Sequence, residues 1–276
     1  VDEIELLAFG FGLVEGPRVD GADNLYFSDV RNGGVYCRHP DGAIDTIVPK
    51  RRGVGGIALH ADGGLVISGR NICHVRDGAT RVVFAPDAPG LNDLFVDRAG
   101  RVICATMRSD PFSVDGPRVP GECWLIDSDG STSQLYGDIA LTNGIGFSPD
   151  GTVLYHADTT RGVWAHDYDD GAVTGRRLFV QRDDLSPDGL AVDEAGTVWV
   201  ADVSGSGAVR GFAADGSEVG RVEVPARMVT SVSFGGADRR DMYIVTGDNL
   251  ADPERGGTIY RTRAAEPGCP VATATV

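Results

Sequence analysis

The chain has 276 residues, a formal charge of -15 and a pI near 4.6, an acidity that excludes nucleic acid and anionic membrane as partners, since both need a basic face. Its 39 glycines and 14 prolines, many in Asp-Gly, Asn-Gly and Gly-Gly pairs between short alternating runs, predict an all-β chain with tight turns and no long helix. Five cysteines at irregular spacing and an N-terminus without a basic or apolar run point to reduced, buried thiols in a cytoplasmic protein, with no signal or anchor.

Residues 3–9 predict a lone strand with no hairpin partner of its own. From residue 15 onward the chain repeats one unit: a polar residue or Gly, a short apolar run, an Asp-Gly-type turn and a second run. Thr142 to Gly151 is its clearest copy. Six copies open at Glu15, Gly55, Asn92, Asn143, Asp188 and Thr230, about 37 to 51 residues apart, the period of a four-stranded propeller blade. They predict a six-bladed β-propeller of four-stranded blades forming one domain over residues 1–276, with blades near 15–48, 55–84, 92–136, 143–180, 188–224 and 230–264. The last copy supplies three strands, so residues 3–9 are expected to complete it from outside and close the ring.

The first strand of each blade lines the propeller axis, which makes the six opening residues a ring at one mouth of the channel. Two carboxylates, Glu15 and Asp188, and two carboxamides, Asn92 and Asn143, meet there without Lys or Cys, while Gly55 leaves space. Such a set suits one divalent cation, Ca²⁺ or alternatively Mg²⁺ or Mn²⁺. The histidines, His39, His60, His74, His156 and His166, share no ligand spacing, which disfavours Zn²⁺ among the alternatives. His156, in the second strand of blade 4, reads as a packed, hydrogen-bonded side chain.

Blade 3 carries one long insertion, Met107 to Gly121, with Pro111, Pro117 and Pro120. It follows a strand that returns to the ring mouth and is expected to form a lid there. The second strands end at Asp29, Gly69, Thr106, Asp158, Asp202 and Thr246 with Asp248. Their carboxylates either orient the ring residues or cap turns by accepting backbone N–H bonds. Just beyond stand Arg31, Arg70, Arg108 and Arg161, on the same mouth. Of these, Arg108, beside the insertion, is the best placed to grip a substrate oxyanion.

The chain has no Gly-x-Ser-x-Gly elbow and no phosphate-binding Gly-Lys-Ser/Thr. Asp127-Ser128-Asp129-Gly130 lacks the downstream Glu of a calcium loop and reads as a hairpin turn. Across nearly its whole length, however, the chain resembles the senescence marker protein, gluconolactonase and luciferin-regenerating enzyme family. The matching segments are Glu15-Gly16-Pro17, Leu91-Asn92-Asp93, Ala105-Thr106-Met107, Thr142-Asn143-Gly144, Pro187-Asp188-Gly189 and Thr230-Ser231-Val232. The resemblance implies a catalytic divalent metal held by Glu15, Asn143 and Asp188, with Asn92 near metal-bound water or substrate. Sugar lactonases of the family carry an arginine two residues before that asparagine. Here the position is Gly90, which points to a less hydroxylated lactone or ester.

The expected activity is therefore hydrolysis of a small-molecule lactone or related ester, with Asp188 as both ligand and general base. Two other readings stand beside it. One is a calcium-holding regulatory or scaffold propeller without turnover. The other is a metal-independent enzyme of the strictosidine synthase type, for which two carboxylates and two asparagines packed together without a cation would be costly. The pattern assigns no oligomeric state.

Overall fold

The computed structural model describes residues 3–113 and 118–276. Six four-stranded antiparallel sheets form the blades of a ring. Their innermost strands are Val14–Val19, Ile57–Leu59, Gly90–Val96, Thr142–Phe147, Pro187–Val192 and Val229–Gly235. The turn that follows the innermost strand shows how the local sequence makes a blade. Gly151 takes φ 76° and donates its N–H to Ser148 O, while Asp150 Oδ1 accepts from Thr152 N at 3.1 Å. Positive φ costs glycine little, and Asp stabilises its own turn. Equivalent turns sit at Gly100 and Gly196.

The N-terminal strand, Glu5–Phe11, pairs with Gly257–Arg263 as the outer strand of the sixth sheet. This is the closure expected of residues 3–9, displaced by two residues. Joining the first and last strands in one sheet leaves no blade half-built, and the Arg261 to Glu5 ion pair at 2.6 Å reinforces the seam.

The apolar core lies between blades. Ala58, Val66 and Ile72 of blade 2, for example, pack on Leu91, Leu94 and Val102 of blade 3. The outer strands, such as Ile44–Pro49, are largely exposed. Because the blades pack face to face, their first strands are drawn close around the axis, and glycine makes room. A Cβ on Gly144 would come within 2.4 Å of Leu190 N in the next blade.

A device absent from the sequence reading sits at the ring. Five of the six innermost strands shift register at the ring residue, between Glu15 and Arg18, Leu91 and Leu94, Thr142 and Ile145, Pro187 and Leu190, and Val229 and Ser231. A bulge adds a residue and re-aims side chains. It frees the ring residues from strict alternation.

The opposite end of the channel, the far mouth, is crossed by the C-terminal segment. Gly268 bridges to Asp193 of blade 5, Ala274 to His60 of blade 2, and Thr275 N donates to Gly100 O of blade 3. Cys37, Cys73, Cys104 and Cys123 are buried free thiols, and Cys269 of the crossing segment is a half-buried one. Among the described residues, no helix is long and apolar enough to cross a membrane.

Candidate active site at the ring mouth

Glu15, Asn143 and Asp188 are 8%, 9% and 7% exposed, so each presents its polar end in a nearly dry setting. Burial drives the Glu15 carboxyl well above its ordinary range, with the charges of Asp188 and Asp93 adding to the rise. Burial and then Asp93 do the same to Asp188. These mutual effects place the acids within one another's field. Asp188 Oδ1 is buried without a hydrogen-bond partner.

The carboxamides are locked. Asn92 Nδ2 donates to Thr142 O at 2.8 Å and to Asn143 Oδ1 at 3.0 Å, and Asn143 Nδ2 donates to Thr159 Oγ1 at 3.0 Å. These bonds turn Asn92 Oδ1 towards Gly55, where an added Cβ would lie 2.0 Å away. The space left by Gly55 is thus filled by the carboxamide of Asn92. Gly55 and Gly56 in turn donate their N–H groups to Ser68 Oγ at 3.1 and 2.9 Å, which holds this short blade in the ring.

The donor set fits a hard divalent ion. Two buried carboxylates repel one another, one of their oxygens is orphaned, and the Asn143 carbonyl oxygen keeps a second lone pair beyond the bond from Asn92. No group of three or more His, Cys, Asp and Glu among the described residues is arranged to hold a metal. An ion at the ring must therefore take a carboxamide oxygen as well as the two acids.

Two residues that the sequence reading passed over complete the axis. Asp93, 9% exposed, accepts from Leu94 N at 2.7 Å and Ile145 N at 3.3 Å. Burial pushes it up to about 6, against the pull of Arg18 and of those two amides. Arg18 lies further along the channel and lines the far mouth. A readable signal existed: Asp93 stands where four of the other copies carry Gly16, Gly56, Gly144 and Gly189.

The second-strand aspartates cap turns. Asp29 accepts from Gly12 N, Arg31 N and Asn32 N at 2.8, 3.1 and 2.9 Å. Asp158 accepts from Ala140 N at 2.8 Å and from Leu141 N and Thr160 N at 3.2 Å. Asp202 binds Ser186 N and Ser204 N, and Asp248 binds Arg227 N and Met228 N. Each commits at least one oxygen to backbone N–H groups, and none bonds a ring residue's side chain, so the capping alternative holds over ligand orientation.

Arg108 bonds Glu122 through Nε, at 2.9 and 3.0 Å to the two carboxylate oxygens, and Asp87 O through Nη1 at 3.0 Å. None of its recorded bonds reaches the four ring residues. Arg161 pairs with Asp138 at 2.9 Å. The expected lid at 107–121 falls partly on residues 114–117, which lie outside the described residues. Of the described part, Phe112 lies under the Arg31 guanidinium, 5.2 Å from its ring centroid. The insertion of blade 3 thereby touches a mouth loop of blade 1.

His156 is a packed histidine. Its Nδ1 meets Tyr136 OH and its Nε2 meets Thr142 Oγ1, both at 2.8 Å. Burial lowers it from 6.5 to about 3, assisted by His166 and Arg176. The unfolded chain therefore takes up this proton first, so stability present above pH 6.5 is lost as pH falls towards about 3. In urea titrations the stability advantage of wild type over His156→Gln is expected to shrink over that window; a constant difference would show that the ring is not titrating as described.

The fold and the ring geometry set the terms for comparison with known proteins. Residues 13–248 match the family described as SMP-30/Gluconolactonase/LRE-like region. The chain belongs to this family. Among its relatives, "Pentonolactonase XacC" of Haloferax volcanii is 32% identical over 89% of this chain and 88% of its own length. "6-deoxy-6-sulfogluconolactonase" of Pseudomonas putida is 31% identical over the same shares. The SMP-30/gluconolactonase propeller is also seen in solved structures. A luciferin-regenerating enzyme superposes with a TM-score of 0.88 at 24% identity, each chain covered completely. A calcium-binding regucalcin from Agrobacterium tumefaciens superposes with a TM-score of 0.85 at 21% identity, over 100% of this chain and 98% of that one. At such identities the likeness speaks for the fold.

Proposed function

We propose that this family member is a divalent-metal-dependent hydrolase of a small lactone or related ester, acting at the ring mouth. The observation that supports the reading is the orphaned, buried oxygen of Asp188, whose charge reaches a second buried acid, Glu15. The lactonase names of the two relatives at 32% and 31% identity support the reaction class.

In this reading Glu15, Asn143 and Asp188 hold the ion, which supplies Lewis-acid polarisation of the ester carbonyl and charge stabilisation. Calcium is the favoured ion, with magnesium, manganese or zinc as alternatives. Asp188 would be one of the groups holding the ion, and its carboxylate takes a proton from water as the water oxygen attacks the carbonyl carbon. The ring C–O bond then breaks, and the same carboxyl returns the proton to the departing alkoxide. The product is a hydroxy acid. Asn92, both of whose amide hydrogens are committed to Thr142 O and Asn143 Oδ1, has only Oδ1 left and through it orients the water. Arg108 is the proposed substrate grip from the lid side, once Glu122 shares or yields it.

Gly90 bears on the substrate. Its φ lies outside the left-handed region, and an added Cβ would meet Gly69 O at 3.5 Å, an ordinary contact. Neither backbone nor packing demands glycine there. A glycine there offers no polar grip on sugar hydroxyls, which favours a lactone with fewer of them.

The test is a panel of pentono-, glucono- and unsubstituted γ- and δ-lactones, assayed with added Ca²⁺, Mg²⁺ or Mn²⁺ and again after chelation. Turnover is expected only with metal, and Glu15→Ala is expected to remove it at any practical metal concentration. Undiminished hydrolysis by chelated protein would discard the mechanism. Thermal stabilisation by Ca²⁺ without turnover of any lactone would favour a calcium-holding propeller instead.

A further inference from the structure

The far mouth contains a cavity of about 480 Å³, within the range of small-ligand sites. It lies at the other end of the channel from the ring residues, under the C-terminal segment. Its walls include Phe95, Phe147, Phe234 and Val271. The repeat explains the space: three residues beyond the ring position the six copies read Arg18, Ala58, Phe95, Gly146, Ala191 and Ser233. Four small side chains alternate with one cation and one aromatic ring.

Two polar side chains of this cavity, Arg18 and Ser233, keep unused bonding capacity. Arg18 is half-buried, donates through Nε to Ile57 O at 2.8 Å, and lies over Phe95, 5.4 Å from the ring centroid. Among the described residues it makes no direct ion pair, although the Asp93 charge acts on it from within the channel, and its two terminal nitrogens bond to no described residue. Ser233 is 3% exposed, lines the same cavity, and its Oγ is buried without a partner. At the rim, Asp20 is occupied by Ala22 N, Asn24 and Tyr26, and Arg239 reaches Glu194 and Gly268 O.

We propose that the far mouth is a second binding site, for a small monocarboxylate with an apolar body, held by the Arg18 guanidinium and the Ser233 hydroxyl. A planar guanidinium with two free terminal nitrogens matches a carboxylate bidentately. A buried hydroxyl without a partner gains an acceptor at little further desolvation. The phenyl walls cover the remainder of the ligand. The stacked Phe95 holds the guanidinium in place before the ligand arrives, which lowers the ordering cost of binding. The proposal does not depend on the reaction assigned to the ring mouth.

Calorimetric titration of the full chain with phenylacetate, and with phenylacetamide as its neutral counterpart, tests this site. Chelated protein is used, so that no ion at the ring can hold the carboxylate. Phenylacetate is expected to bind with one-to-one stoichiometry and phenylacetamide about tenfold more weakly or worse. Arg18→Met is expected to remove the preference for the charged ligand. Ala191→Leu, which fills the cavity while keeping Arg18, is expected to weaken both ligands. Thermal unfolding of each variant establishes that it folds, and if Arg18→Met does not, the amide comparison and Ala191→Leu decide. Absence of phenylacetate binding, equal binding of acid and amide, or binding lost in Asp188→Asn but retained in Ala191→Leu would each overturn the proposal.

Discussion

Asp188→Asn is expected to lose about a thousandfold in lactone turnover, the scale of a removed general base, while its metal-free form is more stable than the parent. The two effects oppose because one atom causes both. The carboxamide preserves volume and one coordinating oxygen, so the fold and part of the metal affinity survive, but it cannot take a proton from water. In the metal-free parent, Asp188 is a buried carboxylate with an unpartnered oxygen, beside Glu15 and Asp93. Removing such a charge is worth about 1–3 kcal/mol. The pH dependence has a definite sign. Burial and Asp93 raise the Asp188 pKa above its ordinary 3.8, so between those two values the unfolded chain has released a proton that the folded parent still holds, and the parent loses stability as pH rises across that window. The variant's stability advantage should therefore grow with pH in chelator and fall when divalent metal is added. A variant that is less stable than the parent at every pH would mean that the carboxylate is already satisfied without an ion.

The second large effect is expected from a residue with no functional group. Gly55→Ala places a methyl carbon 2.0 Å from Asn92 Oδ1, closer than any packing tolerates, so the carboxamide must move. Its two donor bonds, to Thr142 O and Asn143 Oδ1, are broken or bent, and the disturbance passes to Asn143. Displacement of a positioning group by about 1 Å costs about a hundredfold in rate, and the overpacking costs about 1–3 kcal/mol of stability. The diagnostic is the double variant Gly55→Ala/Asn92→Ala. Removing the carboxamide relieves the clash, so stability should recover towards that of Asn92→Ala while activity stays low, a non-additive pair. Additive losses in stability would mean that the two residues do not meet.

Much of this architecture could be read before any coordinates. The six copies and their opening residues lie in order along the chain, and the blade sheets follow them. Blade closure by the N-terminal strand was legible because the last copy lacked a fourth strand. Asp93 and Arg18 were less so. They occupy repeat positions that usually hold small residues, and only the stacking of first strands around the axis brings them into the channel. The Asp29 and Asp158 side chains illustrate a different difficulty: one residue type at one repeat position serves caps and ligand shells alike, and the choice depends on which amides stand nearby.

The sequence by itself determined the number of blades, their order and the residues that open them, because a blade is a local unit whose turns and alternation are written within some forty residues. Only the tertiary structure decided where those side chains point and what they meet. The bulges that free the ring residues from alternation, the seating of Asn92 against Gly55 and the crossing of the far mouth by the C-terminal segment are all contacts between distant parts of the chain. Such contacts arise from closing the ring, which no single repeat encodes.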